Sequence, residues 1–351
     1  MADSAAIDRK LALAGLVPEE IVRCLNLTER YRGRQIFSWI ARGVSSFDAM
    51  TDLGAALRKQ LAEHATLRSC TVRHTLHDAD GTVKLQIALH DGYLIEAVLL
   101  VDHDGRKTAC VSSQAGCALG CAFCKTGTLG LARNLDAAEI VEQFLFLEAV
   151  GGTLDNVVFM GMGEPLENID AVRRALTVLS HPQGRALSLR RVTVSTAGII
   201  SGIYDLADRG PAVRLALSLT SADPALRIAL MPIARREPLD DLRTAVAYYA
   251  QKTGKRVTLE VVVLGGKNTG ADAAQLLAAF AAGIPVNVNL IPWNPVAGLP
   301  FTEPDAREVL RFAHLLTAHG ITVTRRMRRG QNICGACGQL GSTARTPERE
   351  Q

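Results

Sequence analysis

The sequence predicts an α/β protein built on an open, partial (β/α)6 barrel, with a helical segment and a β-hairpin before it and a short tail after it. Three observations predict that class. From Lys107 onward, apolar β-branched runs of strand length alternate with stretches of helical periodicity, the pattern of right-handed βαβ units around a parallel sheet. These units and a final strand are too few for eight-fold closure. The chain has 351 residues, 48% apolar and 21% charged, enough to bury a large core and too apolar to be disordered.

Up to about residue 80 the chain reads as a helical accessory domain. Pro18–Leu25, Gly33–Ala41 and Phe47–His64 carry apolar positions three and four apart, with Asp48 and Thr51 as local caps. Arg30, Arg32, Arg34 and Arg42 cluster around Phe37 and Trp39, a solvated helix face or an RNA-contacting surface. Residues 81–104 form a β-hairpin extension, its strands Thr82–His90 and Tyr93–Val101 joined by the turn dipeptide Asp91-Gly92. The barrel occupies 105–328. Its expected strands are Thr108–Ser112, Asn156–Met160, Arg191–Ser195, Val213–Leu219, Val257–Leu264, Val286–Ile291 and Ile321–Thr324. Its expected helices are Asp136–Val150, Ile169–Ser180, Ile199–Asp208, Leu239–Gln251, Ala271–Ala282 and Glu303–His319. Residues 329–351 form the tail.

Charge and targeting signals are modest. Lys and Arg number 39 against 35 acids, so no global basic field announces nucleic acid. Four Arg nevertheless fall within Arg325–Arg329. The start, Met1-Ala2-Asp3-Ser4, lacks the basic and apolar regions of a secretory signal. Ala273–Thr302 is uncharged but broken by Gly283, Pro285 and Pro292, as a buried helix followed by a buried strand would be. A cytoplasmic protein with no membrane partner is expected. Eight Cys, unevenly spaced, point to metal or redox chemistry rather than a disulfide scaffold.

Cys117, Cys121 and Cys124 lie within eight residues, after the first barrel strand, where barrel chemistry is placed. Three thiolates flanked by Gly116, Gly120 and Gly127 can converge on one soft metal centre. No Cys or His follows nearby as a fourth ligand, so a cubane of four irons would keep one iron open; a zinc knuckle completed from a distance, or plain buried thiols, are the alternatives. Met160-Gly-Met-Gly-Glu-Pro165 follows the second strand, where Gly163 allows close backbone approach and Glu164 can accept hydrogen bonds from an ammonium group. Ser195, the segment Ser218-Leu219-Thr220, and Asn294 end later strands. A second set comprises Cys110, seven residues before the triplet, and the tail pair Cys334 and Cys337, which reads as an independent redox or zinc motif or as a mobile thiol reaching the barrel mouth.

The triplet spacing resembles the radical S-adenosylmethionine (SAM) superfamily. Ala336-Cys-Gly-Gln-Leu340, Met160-Gly-Met-Gly-Glu-Pro-Leu166, Asn289-Leu-Ile-Pro-Trp-Asn-Pro295, Val111-Ser-Ser-Gln-Ala-Gly-Cys117 and Leu230-Met-Pro-Ile233 resemble the RlmN/Cfr family of RNA methyltransferases. The Pro of Gly-Glu-Pro-Leu and a match at Phe47–Leu53 favour the RlmN branch, which methylates carbon 2 of an adenine, over Cfr, which methylates carbon 8.

That resemblance implies a radical SAM barrel with one 4Fe–4S cluster on Cys117, Cys121 and Cys124, and two SAM per turnover. It makes Gly163, Glu164, Ser195, Ser218, Leu219, Thr220 and Asn294 SAM contacts. Cys337 would carry the methyl group as S-methylcysteine, Cys110 would resolve the protein–RNA thioether through a transient disulfide, and Glu96 would take the carbon 2 proton. Read from the strand alone, Glu96 is a solvent-facing residue. The implied partners are 23S rRNA and tRNA, an electron donor such as flavodoxin and a disulfide reductant, acting on a monomer. Arg325, Arg326, Arg328 and Arg329 would contact RNA phosphates, with Arg185, Arg190, Arg191, Arg235 and Arg236 extending the rim. Two departures stand out: the family usually has His where this chain has Thr220, and an acidic run where it has Gln331-Asn-Ile-Cys334. A radical SAM enzyme with other chemistry, and a zinc-stabilised RNA-binding protein, are the rival readings.

Overall fold

The computed structural model describes residues 10–341; the Met1–Ser4 start and the last ten residues of the tail lie outside them. One ten-stranded sheet organises the chain, and its spatial order is its sequence order. The strands are β1 (Thr71–His77), β2 (Val83–Ala88), β3 (Leu94–Val101), β4 (Lys107–Cys110), β5 (Asn156–Phe159), β6 (Val192–Thr196), β7 (Arg214–Ser218), β8 (Val257–Val263), β9 (Val286–Pro292) and β10 (Val323–Arg325). β1 to β4 pair antiparallel, and β4 to β10 pair parallel. The parallel part is the expected set of strands, curved into an open barrel whose edge strands do not meet.

Helices α1 (Pro18–Cys24), α2 (Arg30–Ala41) and α3 (Ala55–His64) precede the sheet. Around the barrel follow α4 (Ala137–Gly151), α5 (Ile169–Ser180), α6 (Ile200–Arg209), α7 (Pro224–Leu230), α8 (Leu239–Thr253), α9 (Ala271–Ala281) and α10 (Ala306–Ala318). Caps fix the starts. The Asp136 carboxylate accepts from Glu139 N at 2.8 Å while Glu139 accepts from Asp136 N at 2.9 Å, a reciprocal capping box before α4. Asp305 accepts from Glu308 N at 2.7 Å, so α10 begins three residues after the Glu303 expected from periodicity.

Four features differ from the sequence reading. β1 extends the hairpin to a three-stranded meander, because a polar, largely exposed edge strand carries no apolar alternation. Phe47–His64 is broken by Gly54, and Ser46 rather than Asp48 or Thr51 caps the short turn Phe47–Ala49. α7, capped by Asp223 with Pro224 at its first position, is too short to show a period. Gln114–Cys117 forms a separate two-stranded ribbon with Gly130–Asn134, so the cysteine triplet begins at the end of a ribbon strand and does not follow β4 directly. Ala273–Thr302 divides into α9 and β9, and no helix among the described residues is long and apolar enough to cross a membrane.

Candidate active site

The cysteine loop is shaped before any ligand is considered. Gly116 has φ +83°, and a Cβ there would sit 2.0 Å from the Gly130 carbonyl, so the ribbon bends only with glycine. From the bend the chain passes Cys117, Cys121 and Cys124, all partly buried and unpaired as disulfides. Cys124 N donates to Cys121 O at 3.1 Å, and Ala122 N donates to Leu230 O at 2.9 Å. Burial pushes the Cys117 thiol up to about 12 and raises that of Cys121 further.

These three cysteines line one open cavity together with Gly163, Glu164, Ser195, Ser218, Asn294 and Cys337. Gly163 has φ +99°, and a Cβ there would lie 2.5 Å from the Gln114 side chain. The Glu164 carboxylate is buried, accepting from Ala197 N at 2.7 Å and Leu166 N at 3.1 Å, and burial pushes its pKa up to about 7. Ser195 Oγ and Ser218 Oγ lie 3.4 Å apart. Asn294 donates through Nδ2 to the Cys337 carbonyl at 3.1 Å, and its buried Oδ1 has no partner among the described residues. Three thiols on one loop lining one cavity, an amide oxygen without a partner among the described residues and a glycine held against Gln114 suit a cluster and a small polar cosubstrate. Leu219 and Thr220 do not line this cavity. Leu219 is fully buried, and Thr220 lies behind the wall with φ +58° and its carbonyl accepting from Asn268 Nδ2 at 2.9 Å.

The tail is strapped across the cavity. Lys125 N donates to Gly338 O at 2.8 Å, Thr126 Oγ1 to Leu340 O at 2.5 Å, and Gln339 Nε2 to Pro295 O at 2.9 Å. Trp293 joins the same knot, its Nε1 donating to Phe123 O at 2.9 Å. Upstream, Asp80 accepts from Gly330 N at 2.9 Å and Asp78 from Asn332 Nδ2 at 2.8 Å, so the neutral Gln331–Cys334 segment docks on the acidic β1–β2 turn. Cys334 is exposed and lines neither cavity described here, whereas Cys337 lines both.

The second cavity holds Cys337, Cys110, Met160 and Arg326. Burial first, then the charge of Cys337, push the Cys110 thiol up to about 12, with Arg326 opposing. The half-buried Arg326 donates to Met160 Sδ at 3.3 Å, and the charges of Cys337, Glu260 and Cys110 hold its proton more tightly than usual against burial. Glu260 is itself buried, accepting from Asn289 Nδ2 at 2.8 Å. Arg326 is therefore turned into the site and not spread on the rim. Arg328 pairs with Glu303 and donates to Trp293 O at 3.2 Å, Arg329 donates to Val101 O, and Arg325 is exposed. Arg185, Arg190 and Arg191 precede β6, at the opposite end of the parallel strands from the cysteine loop, and Arg185 and Arg191 are paired with Glu148 and Asp155. They do not extend this rim. Arg235 and Arg236 follow α7 on the cysteine-loop side, and Arg236 lines a shallow cavity with Leu119 and Glu167.

Glu96 is buried, against the solvent-facing reading, because the tail and β2 cover its strand. Its Oε1 lies 3.2 Å from Lys84 Nζ and its Oε2 accepts from Gly341 N. Ser112, buried and carrying no periodic signal, ties the parts together: its Oγ donates to Glu96 O at 2.6 Å and accepts from Met162 N at 2.8 Å. Reasoning from sequence also passed over Arg227, Lys84 and Glu260, since an isolated charge in an apolar run announces no partner.

A profile of the radical SAM superfamily matches residues 111–277, and one described as the ribosomal RNA large subunit methyltransferase N-terminal domain matches 25–67. The chain is 56% identical over 333 residues to the "probable dual-specificity RNA methyltransferase RlmN" of Treponema pallidum, covering 95% of this chain and 98% of that one. It is 53% identical to the protein of the same name in Treponema denticola, covering 97% and 98%. Among solved structures it is similar to a radical SAM methyltransferase from Sphaerobacter thermophilus, with TM-score 0.90, 41% identity and coverage of 94% and 99%.

Proposed function

The chain belongs to the RlmN family of radical SAM RNA methyltransferases, and we propose that it methylates carbon 2 of a specific adenine in 23S rRNA and in tRNA. The family uses a 4Fe–4S cluster and SAM. The N-terminal match and the RlmN relatives support this type and not the carbon 8 alternative. The observation that carries the reading is that Cys337 lines two cavities at once, one shared with the cysteine triplet and the other with Cys110. Neither rival reading gives those two thiols a joint task.

Cys117, Cys121 and Cys124 would hold the cluster, and Gly163, Glu164, Ser195, Ser218 and Asn294 would hold SAM. When bound, the pair would supply a carbon-centred radical that takes a hydrogen atom from the S-methyl group of Cys337, leaving there a carbon radical that can add to an electron-poor ring carbon. Asn294 fixes the Cys337 backbone at the boundary of the two cavities, which places the thiol to accept a methyl group and to present it to the base. With the methyl-derived carbon joined to carbon 2, Glu96 takes the carbon 2 proton and the adduct gives up its unpaired electron, which the oxidised cluster, when bound, would accept. The Cys110 thiolate then attacks the Cys337 sulfur; the sulfur–carbon bond breaks, its electron pair leaves with the carbon, which takes a proton to become the methyl group, and a Cys110–Cys337 disulfide remains. An external dithiol reduces that disulfide for another turnover. Leu219 and Thr220 would act through the backbone that carries Ser218. Arg325, Arg328, Arg329, Arg235 and Arg236 would meet phosphates at the mouth, a low-potential donor such as flavodoxin would supply electrons, and residues 1–80 would recognise folded RNA. The 81–104 extension would serve as the tail's docking platform, the 105–328 barrel would carry the chemistry as a monomer, and the 329–351 tail would deliver Cys337.

The test is anaerobic. The reconstituted protein is given SAM, a reductant and separate ribosomal and transfer RNA, and the digested RNA is analysed by mass spectrometry. 2-Methyladenosine is expected in both. 8-Methyladenosine, or 5′-deoxyadenosine without a modified base, would overturn the assignment.

A further inference from the structure

Arg227, in α7, has no solvent-exposed surface. Its Nη1 donates to Ser218 O at 3.1 Å, to Leu219 O and to Met231 Sδ at 3.4 Å, and its Nη2 donates to Ala197 O at 2.7 Å. Its Nε is buried without a partner among the described residues, and none of their carboxylates forms an ion pair with it. Glu164, the acid that lines the neighbouring wall, accepts from Ala197 N and Leu166 N and forms no ion pair with Arg227. A guanidinium stays protonated in a protein, and a buried ion is retained where an opposite charge or a metal compensates it. Backbone carbonyls supply dipoles here but no counter-charge. The cysteine loop lies against the same helix: Ala122 N donates to Leu230 O at 2.9 Å, and Met231, whose sulfur accepts from Arg227, lines the cavity with Cys117, Cys121 and Cys124.

We propose that Arg227 is the buried counter-ion of the cluster: its charge stabilises the thiolate-bound cluster, and stabilises the reduced form more than the oxidised one. This rests on the reading that Cys117, Cys121 and Cys124 hold a 4Fe–4S cluster. Three thiolates on the oxidised core leave one net negative charge, and one electron from a low-potential donor makes it two. A fixed cation in a dry site lowers the energy of the second state more, so it raises the reduction potential. The same guanidinium holds the carbonyls of Ala197 and Ser218, at the ends of β6 and β7, so it also ties that charge to the wall carrying Ser195 and Ser218.

The experiment uses the full chain, reconstituted anaerobically, as wild type, Arg227→Gln and Arg227→Lys. Iron and sulfide content and the electron paramagnetic resonance signal of the reduced form establish the cluster, and the midpoint potential is measured without SAM. Arg227→Gln is expected to shift the potential to more negative values, and Arg227→Lys, which keeps the charge, to stay near wild type. The thermal stabilisation that loading confers over the cluster-free protein is expected to shrink in Arg227→Gln and to persist in Arg227→Lys. An unchanged potential in fully loaded Arg227→Gln, an equal shift in both variants, or an Arg227→Gln chain that does not fold without cluster would overturn the proposal. A wild type that takes up no iron sinks the cluster reading and the proposal with it, and the iron assay alone identifies that case.

Discussion

Gly341 donates its backbone N–H to Oε2 of Glu96 at 2.8 Å, while Lys84 Nζ sits 3.2 Å from the other carboxylate oxygen. The same ammonium reaches the Cys334 carbonyl at 3.2 Å. The tail that presents Cys337 therefore also covers the carboxylate assigned to the proton. Glu96→Gln keeps an acceptor for Gly341 but no base. It is expected to slow turnover by about 10²- to 10⁴-fold and to accumulate protein covalently joined to RNA on denaturing gels. Ordinary turnover in this variant would remove Glu96 from the mechanism.

The three thiols of β4 and the tail separate by position. Cys337→Ala is expected to abolish RNA methylation while SAM cleavage continues, read as 5′-deoxyadenosine. Cys110→Ala is expected to trap the covalent adduct. Cys334→Ser, at an exposed site away from both cavities, is expected to leave methylation within about twofold, since surface substitutions perturb little. Loss of activity in Cys334→Ser would give that thiol a part in disulfide exchange.

The resolving step should respond to pH through Cys110. With its thiol pushed up to about 12, the thiolate fraction rises about tenfold per pH unit below that value. Single-turnover release of methylated RNA is expected to accelerate from pH 7 to pH 9. Arg326→Met removes the cation that opposes this shift and is expected to slow release by about tenfold or more at any pH, with Arg326→Lys between. Equal rates in wild type and Arg326→Met would mean that the guanidinium does not act on Cys110.

Glu164 carries a stability signature in the cluster-free protein. Its folded pKa, about 7, exceeds the ordinary 4.5, so between those values the folded state binds more protons than the unfolded one. Stability should then fall as pH rises from about 4.5 to 7 and level off above, by at most about 3 kcal/mol from this group. Denaturant titrations at pH 5 and pH 8 measure it. Glu164→Gln should flatten this part of the profile; an unchanged slope would place the titration elsewhere.

Much of this was legible before any coordinates. The alternation of apolar runs gave the parallel strands to within a residue or two, because burial on both faces demands continuous β-branched sequence. The turn at Asp91-Gly92 is local chemistry and appears as expected, with Tyr93 N bonded to Asp91 at 3.3 Å, and the helix expected from Asp136 starts one residue on, with Asp136 as its cap. β1 and α7 were not legible, one for lack of an apolar face and the other for lack of length.

The sequence by itself determined the open barrel, the cysteine triplet and the type of chemistry, since spacing along a short segment is a property of the chain alone. Only the tertiary structure decided which distant residues share a cavity. It brought Cys337 beside Cys110 across 227 positions, buried Glu96 under the tail, turned Arg326 inward and left Leu219 and Thr220 behind the cavity wall. Those outcomes depend on long-range packing and on which charges find partners, and neither is written in local periodicity.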